Sequence, residues 1–101
     1  MSIKIYSCND SRGLRPMWTA EEMGVSYESE MMPFPPRFLH KEYMDVNILG
    51  TIPYLIDDQV KMTESVAMCQ YLVEKYGPTD LKVNSDEADF HHYLNWLAHS
   101  D

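Results

Sequence analysis

Pro33-Phe34-Pro35-Pro36 can continue neither a helix nor a hydrogen-bonded strand, so the chain must fold as two halves on either side of this run. Before it, Ile3 to Tyr6 is β-prone and breaks at the polar turn Cys8-Asn9-Asp10-Ser11, which is rich in N-cap residues. Gly13 to Met23 reads as a helix, with Leu14, Met17 and Trp18 on one face and Glu21-Glu22 facing out. Pro16 is tolerated in its first turn, where backbone N–H groups have no intrahelical partner, and Gly24 ends it. Ser26 to Met32 supplies a second strand.

After the proline run, Leu39 to Val46 holds a short helix. Ile52 to Ile56 is apolar, Asp57-Asp58-Gln59 turns, and Val60 to Met62 returns, which makes a hairpin. Glu64-Ser65 opens a helix whose Ala67, Met68, Tyr71, Leu72 and Tyr76 share a face, and Gly77-Pro78 stops it. The order is β-α-β, a long connection, then β-β-α. A βαβ crossover followed by a hairpin and a closing helix packs naturally as one α/β domain, a mixed sheet covered by helices. That domain is expected over 1–78, with a linker over 79–85. Residues 86–101 carry Phe90, Tyr93, Leu94 and Leu97 at helical spacing with nothing following to cover them. They are expected to be the first helix of a second, all-helical domain that is truncated here.

Composition excludes some classes. With 101 residues, 45% hydrophobic and 24% charged, this is an ordinary globular chain with a modest core. A formal net charge of −8 argues against nucleic acid or an anionic membrane as partner. No apolar run approaches a membrane span. Cys8 and Cys69 form neither a C-x-x-C pair nor a metal spacing, and suit a reducing cytoplasm. His91, His92 and His99 have no metal spacing either, so no metal is expected. The methionines read as core filler.

Three segments carry a resemblance. Tyr6 to Arg12, continuing to Trp18 and Glu21-Glu22-Met23-Gly24, resembles the first βα unit of serine-type, bacterial-like glutathione transferases. Asn47-Ile48-Leu49-Gly50-Thr51-Ile52-Pro53 is similar to the family's N-x-x-G-x-[IV]-P segment, and Thr63-Glu64-Ser65-Val66-Ala67-Met68 with Tyr71-Leu72 to its T-E-S-x-A-I…Y-L helix. Order and spacing agree along nearly the whole chain. The family usually has proline where Ile48 stands, and often histidine where Phe38 stands. The resemblance implies a thioredoxin-like domain with a four-stranded sheet that binds glutathione. It also implies a cytoplasmic homodimer with a role in detoxification. Glutathione is then a substrate, and no separate cofactor is called for.

Glutathione must be gripped at both ends and its thiol turned into a thiolate. A free thiol has a pKa of about 8.5, so a hydroxyl donor and a helix N-terminus near the sulfur help ionise it. Ser11 stands before the first helix; by itself it reads as an N-cap, and the resemblance makes it the hydroxyl that donates to the thiolate. Arg12 either adds positive charge there or is a solvated surface residue. Cys8 is the rival, able to form mixed disulfides with glutathione, unless it is simply a small strand-end residue. Tyr6 reads as sheet packing. Ile52-Pro53 is similar to the family's cis-proline turn, which implies that the Ile52 backbone pairs with the cysteinyl backbone of glutathione.

Ser65 at a helix N-terminus can hold a carboxylate, and Glu64 beside it an ammonium; the γ-glutamyl end of glutathione presents both. A plain helix start capped by Thr63 is compatible with this. His40 and Lys41 are the nearest cations for the glycine carboxylate, against a reading as a solvated helix face. The leading function is therefore an enzyme that activates glutathione for attack on an electrophilic small molecule. The alternatives are a non-catalytic glutathione-binding or interaction module, and a Cys8-dependent thiol transferase. Intact Ile52-Pro53 and Glu64-Ser65 elements count against a pure scaffold.

Overall fold

The computed structural model describes residues 2–100. Met1 and Asp101, the outer ends of the two expected domains, lie outside the described residues. Strand β1 (Ile3–Cys8) is central, with β2 (Glu28–Met32) parallel on one side and β3 (Tyr54–Asp57) antiparallel on the other. β4 (Val60–Met62) pairs with β3 and completes the order β2-β1-β3-β4. This is the mixed four-stranded, thioredoxin-like sheet expected from the sequence. Asp57, expected in the turn, is the last residue of β3 and pairs with Val60. The turn narrows to Asp58-Gln59, with Asp58 at φ 54°.

Because side chains alternate along a strand, β1 feeds two cores. Ile3 and Ile5 meet Leu55, Ala20, Met68 and Leu72 on one face. Tyr6 and Cys8 meet Met32, Tyr43 and Tyr54 on the other. Helices α1 (Leu14–Met23) and α3 (Ser65–Tyr76) pack against each other over the first face. The expected apolar face of α1 turns inward only in part. Met17 packs against the core, whereas Leu14 and Trp18 are exposed, and Pro16 and Ala20 are the buried positions. The reason is proximity to α3: Ala20 fits between the two helices and the sheet, and an indole does not. Gly24, at φ 70°, ends α1 with its N–H donating to the Ala20 and Glu21 carbonyls.

The expected helix over Leu39–Val46 is replaced by two short pieces. Pro36 opens α2 (Pro36–Leu39), because its fixed φ suits a first helical position. His40 breaks it at φ −147°, and a 3-10 turn follows over Lys41–Asp45, burying Tyr43. The last helix, α4 (Phe90–His99), is shorter than expected, since Asn84–Glu87 forms a turn ahead of it. None of its residues is fully buried. No helix among the described residues is long and apolar enough to cross a membrane.

Candidate functional site

The loop that joins β1 to α1 is built on hydroxyls. Ser11 donates to the Cys8 carbonyl at 2.7 Å and accepts the Gly13 N–H at 3.3 Å. Helix α1 begins after Gly13, so Ser11 braces the loop and is not the helix N-cap itself. Ser7, fully buried, lies 3.2 Å from the Ser11 hydroxyl and donates to the same Cys8 carbonyl at 3.2 Å. Gly13 permits this approach: a Cβ there would lie 1.7 Å from Ser7 Oγ.

Ser11 opens onto a cleft of about 950 Å³. Ile52 and Thr51 form part of its wall, with Phe34 and Phe38 among its apolar residues. The charged residues lining it are Asp10, Arg12, Arg15 and Arg37. Arg12 thus shares the cleft with Ser11. Lys41, on the 3-10 turn, lies outside the lining, and Arg37 brings a cation to that end instead, with its Nε donating to the Leu49 carbonyl at 3.1 Å.

The loop that carries Ile52 is held from beneath. Asn47, buried, donates to the Thr51 carbonyl at 3.0 Å and accepts the Leu49 N–H at 3.1 Å. Tyr43 donates to the same carbonyl at 2.6 Å. Gly50 turns the loop at φ 65°, against the Arg37 and Met44 side chains. Ile52-Pro53 is cis, as the resemblance implied, and Pro53 is fully buried.

Glu64 and Ser65 are not part of the cleft lining, but Arg15, which is, reaches Ser65, its Nη1 donating to Ser65 Oγ at 3.2 Å. No local sequence pattern marks Arg15 for this position. The expected Thr63 cap is not made: Glu64 occupies the N-cap position of α3, without a side-chain capping bond. Thr63 instead donates to the Glu64 carboxylate at 3.3 Å. The backbone N–H groups of the first turn of α3 therefore receive no side-chain cap there.

Cys8 is buried at the end of β1, with its Sγ 3.8 Å from the Pro33 carbonyl. Burial raises its thiol pKa, which favours the inert form. Cys69 is also raised by burial, with the Thr19 hydroxyl 3.2 Å away acting in the opposite direction. His40 approaches Glu30 at 3.9 Å. No cluster of potential metal ligands is present among the described residues.

The profile described as "Glutathione S-transferase, N-terminal domain" matches residues 1–74. Glutathione S-transferase 3 of Schizosaccharomyces pombe is 31% identical over 99 residues, which is 98% of this chain and 41% of that protein. A glutathione S-transferase structure from Actinobacillus pleuropneumoniae superimposes with TM-score 0.84 at 25% identity, over 97% of this chain and 47% of that one. A human theta-class glutathione transferase, solved with the glutathione conjugate of 1-menaphthyl sulfate, gives TM-score 0.77 at 29% identity, over 98% of this chain and 43% of that one. The chain thus spans less than half the length of these relatives. On its fold and on the matched profile, the chain belongs to the glutathione S-transferase family through its N-terminal, thioredoxin-like domain.

Proposed function

We propose that the protein is a glutathione transferase in which this domain binds glutathione and Ser11 directs the thiolate at an electrophilic small molecule. The observation that carries the reading is the common cleft. The Ser11 hydroxyl, the Ile52 wall and the Arg15 guanidinium line one space, and Arg15 hands that space on to Ser65. An extended tripeptide laid along it has its sulfur at Ser11, its cysteinyl backbone at Ile52 and its γ-glutamyl end toward Glu64 and Ser65. Arg37 is the cation available to the glycine carboxylate, in place of His40 or Lys41.

The chemistry is ionisation followed by attack. The glutathione thiol loses its proton to solvent, and the Ser11 O–H donates to the sulfur anion and lowers its cost. Arg12 and Arg15 add positive charge in the same cleft, against the acidic field of the chain as a whole. The reaction calls for glutathione as substrate and for no further cofactor. The electrophile, a homodimeric assembly, a cytoplasmic location and a role in detoxification belong to the same reading.

Titrating the thiolate absorbance of bound glutathione on the full-length protein tests it. Ser11→Ala should raise the apparent pKa of the bound thiol by about one to two pH units, the worth of one hydrogen bond to a charged group. Cys8→Ala should leave it in place. Loss of glutathione-disulfide exchange on changing Cys8, with Ser11→Ala silent, would establish thiol transfer instead.

A further inference from the structure

Ser11 has its proton engaged within its own loop. Its single proton goes to the Cys8 carbonyl at 2.7 Å, the shortest contact in the loop. To donate to a sulfur it must turn that proton away. A carbonyl deprived of its donor opposes the turn by the cost of an unmet hydrogen bond. The second hydroxyl, Ser7, is fully buried, 3.2 Å from the same carbonyl and 3.2 Å from Ser11 Oγ. It sits there only because Gly13 has no side chain, since a Cβ would lie 2.5 Å from Ser7 Cβ and closer still to its oxygen. The pair therefore shares one acceptor between two donors.

We propose that Ser7 is a positioning residue for Ser11, taking over the Cys8 carbonyl when Ser11 turns its proton toward the substrate sulfur. The proposal rests on the Ser11 reading given above. No bond to carbon is made or broken: the Ser11 proton reorients to the sulfur, and the carbonyl keeps a donor for as long as Ser7, which already points to it, stays there. When Ser7 donates instead to Ser11 Oγ, it polarises the Ser11 O–H toward the sulfur, so both of its orientations favour the thiolate. A serine buried in a strand merely to fill space would do neither.

The experiment is the thiolate titration of bound glutathione on the full-length protein in four forms: unchanged, Ser7→Ala, Ser11→Ala and the double variant. Ser7→Ala should raise the apparent pKa of the bound thiol by about half a pH unit or more, with glutathione affinity changed less than about twofold. In the Ser11→Ala background, Ser7→Ala should add nothing, because its effect passes through Ser11. Ser7→Cys, which is somewhat larger and keeps a weak donor, should fall between, read as a difference against the glutathione-free variant. An equal Ser7→Ala shift with and without Ser11 would overturn the proposal, as would no shift at all in Ser7→Ala and Ser7→Cys. Silence of Ser11→Ala itself would instead overturn the underlying reading, and with it this one.

Discussion

Arg15 and Ser65 meet at 3.2 Å, Nη1 to Oγ, and so tie the first turn of α1 to the first turn of α3. A second nitrogen of the same guanidinium, Nη2, donates to the Ser100 carbonyl at 2.8 Å, at the end of α4. Because arginine only donates, the Ser65 oxygen is its acceptor, and the Ser65 proton stays available for an acceptor such as a carboxylate. The two residues bring positive charge and a directed hydroxyl to one corner of the cleft.

Ser65→Ala is therefore expected to weaken glutathione affinity by about 1–3 kcal/mol, the range for losing a hydrogen bond to a charged group. Arg15→Ala should cost about as much, and Arg15→Lys should recover only part, since a lysine lacks the fork that reaches Ser65 and Ser100 together. Calorimetry on the full-length protein reads all three. Unchanged affinity in both Ser65→Ala and Glu64→Ala would sink the assigned mode of holding the γ-glutamyl end.

Burial makes an alkaline limit to stability. Tyr43 is pushed up to about 12 from 10.0, chiefly by desolvation in the core with Tyr6 and Tyr54. Tyr71 rises to about 12, through desolvation first and its hydrogen bond to Asp57 second. Tyr76 rises for the same reasons, and burial raises Cys8. Each group holds its proton more tightly folded than unfolded. The stability it contributes is whole below its unfolded pKa and is lost as pH climbs through the folded one. The denaturation midpoint should hold from about pH 7 to about 9 and fall between about pH 10 and 12. A midpoint that stays level across that upper interval would contradict the assigned burial.

Asp57 is the acceptor behind two of those shifts. It is buried, and its Oδ2 accepts the hydroxyls of Tyr71 at 2.7 Å and of Tyr76. Its Oδ1 is buried without a hydrogen-bond partner among the described residues. Asp57→Ala takes the acceptor from two phenols at once and should destabilise the domain by about 2–4 kcal/mol. Asp57→Asn keeps one oxygen for the tyrosines and should cost less. Equal melting temperatures for the unchanged protein and Asp57→Ala would show that the cluster contributes no net stability.

Much of this is legible in the residues because prolines and glycines punctuate the chain. Gly24, the Pro33–Pro36 run and Gly77-Pro78 each mark a true boundary, and the strand order follows from the βαβ-ββα sequence. The inward face of α1 was legible only in part. Leu14 and Trp18 are its most apolar residues, but tight packing against α3 selects small Ala20, and hydrophobicity alone does not encode that distance. Arg15 was missed because Ser65, its partner, is 50 positions away. Ser7 was missed because a serine inside a strand has no local signature; only the juxtaposed Gly13 hints at a close approach.

The surface of α4 yields the last prediction. Phe90, Tyr93 and Leu97 are half-buried, and Leu97 with Ser100 borders a groove formed with Trp18, Thr19, Val66 and Cys69. The helix thus leans on α1 and α3 by one edge. Leu94 and Trp96 stay exposed at 45% and 61%, as does Trp18 on α1. Apolar surface of this kind drives association in water. The chain of residues 1–101, prepared alone, is therefore expected to self-associate through α4 at micromolar concentration. Leu94→Glu with Trp96→Glu should shift it toward monomer without loss of the sheet core, since neither residue is buried. Sedimentation velocity at several loading concentrations, with thermal melts of both forms, reads the two effects separately. Strict monomer behaviour of the unchanged chain would mean that the exposed Leu94 and Trp96 do not drive association.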